Sequence, residues 1–543
     1  MNFGLIDYII FALYVCLILG IGLWVSRTQK GKTKTAEDYF LASKSLPWWA
    51  IGASLIAANI SAEQIIGMSG QGFGIGLAIA SYEWMSAITL IIVGKYFLPI
   101  FIEKKLYTIP DFIKQRYSVE LKTILAIFWI SLFTFVNLTT VLLLGSKALD
   151  MIIGNGNGDL LWYGIIGLAL FAAAYSLWGG LSAVAWTDVI QVILLVIGGI
   201  ITTLIALDKL TPDGGIWQGT QHILQTAPEK FHLILSKSHP LYNELPGIAV
   251  LVGGMWVANL YYWGFNQYII QRALAAKNLR EAQKGIAFAG FLKLIVPFIV
   301  VIPGIIAFVL YTQPDGTSIV PGVQENLAIS ETYQANDNAY PWLIKSFVPV
   351  GLKGLVIAAL AAAIVSSLAS MINSISTIFT MDIYRQYINK NANDRQTVRT
   401  GRIVAFIALL CGVLITPLLS SERGIFNVIQ EYTGLVSPGI LAIFILGLFW
   451  KKATNIAAIW GAILSIAVAF LFKLGSLPWM DQMALTFLAS ILIIVIISLI
   501  EHRGKDDAKG INLTKSMFKT TTSFNISAFI IMIVLAFLYS IFW

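Results

Sequence analysis

Apolar residues run along this 543-residue chain in fourteen long blocks, near 4–25, 46–70, 74–101, 121–152, 159–177, 181–207, 247–270, 281–311, 348–384, 400–420, 427–450, 453–474, 480–500 and 522–542. Each approaches or exceeds the ~20 residues that a helix needs to cross a hydrocarbon core. Strand-like alternation does not compete over comparable lengths. Backbone in lipid must satisfy its own polar groups, so the blocks predict helices. The expected fold class is an all-α membrane protein of about 14 transmembrane helices, a single integral membrane domain over 1–543. The segments 208–246 and 312–346 are rich in Pro, Gly, Asn and Asp and predict extramembrane loops with short surface helices.

Charge placement orients this arrangement. The loops after blocks one, three, seven, nine, eleven and thirteen hold 26 of the 36 Lys and Arg, Arg272 among them. The opposite ends of the blocks hold 8, and the remaining two, Lys95 and Lys293, fall deep inside blocks. Excess basic residues mark the cytoplasmic side, which puts both termini outside. A wrong helix count would have scrambled the alternation. Composition agrees, with 57% hydrophobic and 12% charged residues, against roughly half and a quarter in soluble domains. The formal charge of +8 is spread over these loops, so it does not indicate nucleic acid. Cys16 and Cys411 lie mid-block and read as buried thiols, not as a disulfide. The N-terminus has no basic n-region and cleavage site, so the first block reads as a retained helix. The expected location is a bacterial inner (plasma) membrane.

Two blocks are interrupted. SLIAANISAEQIIGMSG places Asn59, Ser61, Glu63 and Gln64 near mid-membrane, and GGMWVANLYYWGFNQ places Asn259 among aromatics. Polar groups at that depth are costly and face a bundle interior or a wet cavity, and unwound backbone there can offer carbonyls to a cation. Helix–helix hydrogen bonding is the competing explanation, and it suffices for Ser61 taken alone. The interrupted blocks lie five apart, which predicts two inverted five-helix repeats, 46–207 and 247–450. A helix at 4–25 precedes the repeats, and helices over 453–542 follow them. In block nine, Ala363, Ser366 and Ser367 share one helical face. Two hydroxyls and a carbonyl suit a hard cation, but the same residues would also serve as a small-residue packing face.

The segments YSLWGGLSAVAWTDVIQ, PWWAIGASLIAANISAEQ, ANLYYWGFNQYIIQR, FLKLIVP, AAAIVSSLAS and QEYTGLVSPGI resemble the sodium:solute symporter family, and more narrowly its sodium/galactose, sodium/glucose-type branch. The likeness covers essentially the whole chain. It implies alternating access and sodium-coupled symport of a neutral hexose, with sodium as the co-transported ion. The implied sodium ligands are the carbonyls of Ala57, Ile60 and Ala363 and the hydroxyls of Ser366 and Ser367, with Asp188 aiding sodium exit. The implied sugar site is Asn59, Gln64, Glu83, Ser86, Asn259, Lys293 and Gln430, with Tyr262 stacking on the ring as inner gate. Met68, Tyr82 and Phe426 would close the outer side. The set is chemically apt for a hexose: amides donate and accept, a carboxylate accepts, and an ammonium donates. The expected partners are a small sugar, sodium and the lipid bilayer, with no nucleic acid.

Other solutes carried by such proteins, inositol, sialic acid and proline, are the alternatives. A carboxylated one would meet Glu83 as a like charge. A sodium or solute sensor is a further alternative; it would usually add an output domain, and the chain ends at Trp543. An enzyme is not expected. His222, His232, His239 and His502 all lie in predicted loops, and no metal-ligand or nucleophile–base spacing occurs.

Overall fold

The computed structural model describes residues 3–27, 34–154, 156–211, 214–311, 337–419 and 425–543, without the side chains of 311, 425–428 and 432. Among them eleven helices are long and apolar enough to cross a membrane, and twelve when a bent pair is counted as one span. The exact count of fourteen is not confirmed; block two, the joined blocks five and six, and block seven account for the difference.

The bent pair is block two. Trp48–Asn59 and Glu63–Gly74 meet at 60°, and Ile60 between them is extended (φ −76°, ψ 92°). The second half opens with a π-helical turn, Glu63–Gly67, a widening often found at functional sites. Blocks five and six form one continuous run, Leu161–Asp208, broken at Gly180 (φ 63°, ψ −155°). Only glycine adopts that backbone region readily, and a Cβ there would stand 2.3 Å from the Tyr39 carbonyl oxygen. Block seven is cut into Ile248–Val252, Gly254–Phe265 and Gln267–Leu274, with irregular backbone at Gly253 and Asn266.

Burial separates the centre of the bundle from its rim. The most apolar stretch of Leu352–Ile388 is 94% buried, whereas that of Leu5–Val25 is 17% buried and that of Thr522–Ile541 is 22% buried. The Ala- and Ser-rich sequence of the central helix lets neighbours approach its backbone closely. Leu279–Val300 crosses Trp48–Asn59 where Gly52 faces Gly285, and a Cβ on Gly52 would lie 2.6 Å from the Gly285 carbonyl oxygen. That approach carries Lys293 to the break in block two. The helices Ile216–Thr226 and Ala339–Phe347 occupy the expected extramembrane segments; residues 312–336 lie outside the described residues. Both cysteines are free, but Cys16 is exposed on the rim and Cys411 is half-buried. The expectation of buried thiols therefore fails, because both sit on weakly buried outer helices.

Candidate functional site

One cavity lies where the two interrupted blocks meet. The space between its lining atoms is about 550 Å³ when the open solvent at its mouth is included. Asn59 and Gln64 reach it from the two sides of the first break, and Asn259, Tyr262 and Trp263 from the middle of block seven. Tyr82, Glu83 and Ser86 come from the helix Ser81–Ile92. Gln430, Thr433 and Ser437 come from Ile425–Phe449, and Met483 from Trp479–Glu501.

The wall is held by a polar network. Lys293, fully buried, donates to Glu83 and to the Asn59 side-chain carbonyl. Its ammonium also stands 5.0 Å from the centre of the Trp263 ring. Asn59 Nδ2 donates to the Tyr262 hydroxyl (3.0 Å), which also accepts from the Tyr268 hydroxyl (2.9 Å). Ser86 donates to Asn259 Oδ1 (2.6 Å). Asn259 Nδ2 is buried without a partner among the described residues. Such an orphan donor costs free energy unless a ligand or water meets it. Gln64 Oε1 accepts from the backbone and hydroxyl of Ser61 (3.2 and 2.9 Å), which fixes the turn of the break. Glu63 turns away from the lining and accepts from Thr140 (3.0 Å).

A second polar centre lies on the far side of that break. Ser61 N bonds Gln64 in place of the helical acceptor Ala57 O, and Ser367 Oγ donates to the Ala58 carbonyl at 3.0 Å. Helix Leu352–Ile378 thus docks its serine face on the unwound carbonyls. Ser366 Oγ donates to Asp188 Oδ1 at 2.5 Å, and Ser54 donates to Asp188 Oδ2. Arg272 pairs with Asp188 at 3.3 Å, both side chains being fully buried. The same guanidinium donates to Ser54 Oγ (2.9 Å), the Tyr268 carbonyl and Ser370 Oγ.

Of the eight residues expected to contact sugar, Asn59, Gln64, Glu83, Ser86, Asn259, Tyr262 and Gln430 line the cavity, and Lys293 stands behind Asn59 and Glu83. Of the expected gate residues, Tyr82 lines it; Met68 is fully buried and not part of the lining; the side chain of Phe426 lies outside the described residues. Ala57, Ile60, Ala363, Ser366 and Ser367 are all buried, with Ser367 bonded to the Ala58 carbonyl and Ser366 to Asp188. Arg272 is a correction. Counted as a loop cation, it lies instead in the helix Gln267–Leu274, which starts after the extended Asn266 and brings Arg272 against Asp188 and Ser54. Trp263, Thr433, Ser437 and Met483 were not anticipated.

The sequence profile of the sodium:solute symporter family matches residues 39–465. A protein of Vibrio parahaemolyticus named sodium/glucose cotransporter is 60% identical over 541 residues, 99% of this chain and 98% of its own length. The human protein named sodium/myo-inositol cotransporter 2 is 32% identical over 84% of this chain and 68% of its own. Among solved structures, a substrate-bound, outward-open Na+-coupled sialic acid symporter superposes with a TM-score of 0.77 at 23% identity, covering 92% of this chain and 98% of that one. That last likeness concerns the fold. With a bundle interrupted at its centre, a polar cavity at the interruption and matches of this extent, the chain belongs to the sodium:solute symporter family.

Proposed function

We propose that this symporter couples sodium to the uptake of a neutral hexose, with the sugar held in the cavity at the two interruptions and one sodium ion held at the neighbouring serine face. The observation that carries this reading is the cavity wall. Amides, a carboxylate, hydroxyls and aromatic rings surround one space, and one amide donor has no partner among the described residues. Hexose hydroxyls both donate and accept, and each of these groups offers a complementary half. The relative that is 60% identical carries glucose in its name.

Lys293 pairs with Glu83, so a carboxylate would meet a neutralised site, not a bare like charge. It would also find no unpaired cation among the described lining residues. A neutral polyol fits the same wall, and the relatives named for myo-inositol favour that as the second reading.

For the ion, the carbonyls of Ala57, Ile60 and Ala363 with the hydroxyls of Ser366 and Ser367 form a neutral set of hard oxygen donors, which suits Na+. Sodium would displace the contact between Ser367 and Ala58 O. Asp188 sits one hydrogen bond behind Ser366, placed to draw the departing ion. The repeats 46–207 and 247–450, each opening on an interrupted helix, would rock about this centre. The positive-inside rule places the basic loops in the cytoplasm and both termini outside, in a bacterial inner membrane.

Proteoliposomes test the reading. Labelled galactose, glucose, myo-inositol, proline and sialate are each offered with and without an inward sodium gradient. Gradient-dependent hexose uptake, with no uptake of proline or sialate, is expected. Sodium-driven inositol uptake without hexose uptake would favour the second reading, and proline uptake without sugar uptake would overturn both.

A further inference from the structure

A basic groove opens at the end of the bundle that the positive-inside rule assigns to the cytoplasm, away from the transport cavity. Arg395, Arg399 and Arg402 stand one turn apart on the helix Asp394–Ile415. Arg27 and Lys34 face them from the other wall. None of the five forms an ion pair among the described residues. The acids at hand are already engaged: Asp38 caps the backbone of Thr35 (3.0 Å) and accepts from Ser43 (2.6 Å), and Asp394 accepts from Ala36 N (3.3 Å).

Two of the five cations form the floor. Lys34 Nζ donates to the carbonyls of Trp178 (3.0 Å) and Gly179 (3.4 Å), and Arg402 donates to Trp178 O (3.3 Å). Those carbonyls end the half-helix that stops at Gly180, so the two cations answer its negative dipole end. Burial, and after it the neighbouring Arg402, push the Lys34 ammonium down to about 8 against the opposing pull of Asp38. Arg27, Arg395 and Arg399 form an exposed rim. Beside this rim the groove wall turns apolar, with Leu23 48% and Trp178 55% exposed. Both belong to membrane-spanning helices, so this wall lies at the water–lipid boundary, where indole rings favour the headgroup level.

We infer that this groove binds the phosphate headgroup of an anionic phospholipid, with the acyl chains lying along Leu23 and Trp178. Phosphate supplies the missing counter-charge, and guanidinium forks match its oxygens in pairs. Basic pockets between membrane helices on the cytoplasmic side recognise anionic headgroups by this chemistry. The apolar wall favours a lipid over a soluble phosphate, which would leave that wall unused.

The full chain, purified in a neutral detergent, is titrated with dioctanoyl phosphatidylglycerol, dioctanoyl phosphatidylcholine and inorganic phosphate, and binding is followed by microscale thermophoresis. Two double variants accompany it: Arg395→Ala with Arg399→Ala at the rim, and Lys104→Ala with Lys451→Ala at exposed basic positions outside the groove. Phosphatidylglycerol should bind the wild type saturably and bind the rim variant on the order of tenfold more weakly, with the control variant unchanged. Phosphatidylcholine and inorganic phosphate should bind far more weakly than phosphatidylglycerol. Equal losses in both variants would reduce the effect to general surface charge and overturn the site. Inorganic phosphate binding as tightly as phosphatidylglycerol would make it a soluble-anion site, and unchanged binding by the rim variant would place the lipid elsewhere. The readout is independent of membrane orientation and of which sugar is carried.

Discussion

Replacing Lys293 with Met asks whether the buried pair beneath the cavity serves the substrate or only the bundle. Lys293 donates to Glu83 and Asn59 and is wholly shielded from solvent. Its removal leaves the Glu83 carboxylate buried without a cation, which costs ~3–5 kcal/mol in stability. Asn59 also loses the contact that fixes its side chain, worth ~1 kcal/mol. If the sugar hydroxyls bond to the charged pair, their loss is that of a charge-assisted hydrogen bond, ~1.5–3 kcal/mol, or roughly ten- to 150-fold in affinity. A second variant separates the two roles. Pairing Lys293→Met with Glu83→Gln removes both charges together, and such neutral replacements of buried pairs are often tolerated or even stabilising. The assays are thermal unfolding followed by tryptophan fluorescence and sodium-dependent sugar binding in detergent. The single variant should unfold well below the wild type, and the double variant should recover most of that loss while sugar affinity stays low. A double variant with wild-type sugar affinity would show that the pair serves only the bundle. A single variant indistinguishable from the wild type in both assays would refute the energetic argument itself.

Ser366→Ala and Ser367→Ala each remove one proposed ligand, at ~1–3 kcal/mol, so sodium-driven uptake should fall roughly five- to 150-fold with a raised sodium KM; unchanged sodium dependence in both would move the ion site elsewhere. Arg272→Met should strand the Asp188 carboxylate and destabilise the protein in unfolding assays, whereas adding Asp188→Asn should restore folding but not normal sodium dependence; a single variant of wild-type stability would show that the pair carries little. A second sodium beside the first would need further oxygen ligands on the serine face. Here position 369 is Ala369 and the Arg272 guanidinium already bonds Asp188 and Ser370, so one sodium per sugar is expected. With ~2.3 kcal/mol from 100 mV and ~1.4 kcal/mol from a tenfold gradient, one sodium supports roughly 500-fold accumulation, and a flux-reversal voltage in proteoliposomes that fits two sodiums would refute the count.

The helical layout was legible because a membrane demands long apolar stretches whatever the tertiary contacts. The number of separate spans was less so. Gly180 turns the backbone between two blocks without an intervening loop, and block seven is cut twice where its sequence shows only Gly253 and Asn266. Asn59, Glu63 and Gln64 stood out because polar side chains are rare at that depth, whereas Glu83 was named through the resemblance. Thr433, Ser437 and Trp263 did not, since hydroxyls and indoles are common in membrane helices. Lys95 and Lys293 look alike in the sequence, both being single cations inside apolar blocks. Yet Lys95 is half-buried and leans over the ring of Tyr96 at 5.3 Å, in the manner of a snorkelling side chain, whereas Lys293 is enclosed at the cavity wall. Arg272 was misplaced for the converse reason. It follows an apolar block as loop cations do, and only the bend at Asn266 carries it inside.

That misplaced arginine bears on how two cargoes could be coupled. From Ser366, polar contacts run through Asp188 to Arg272, on to the Tyr268 carbonyl, and from the Tyr268 hydroxyl through Tyr262 and Asn59 to Lys293 and Glu83. One end lies in the proposed ion site and the other in the proposed sugar site. Coupling is reciprocal: whatever sodium does to sugar affinity, sugar does to sodium affinity by the same factor. A contiguous network does not prove such coupling, which needs an element with two arrangements that both ligands bias. The short helix Gln267–Leu274 has the features of that element. It is bounded by the break at Asn266, it bears Tyr268 and Arg272 one turn apart, and it touches both centres. An ion that drew Ser366 off Asp188 would strengthen the hold of Asp188 on Arg272. It would thereby bias the helix that carries Tyr268, whose hydroxyl holds Tyr262 against Asn59 at the wall of the sugar cavity.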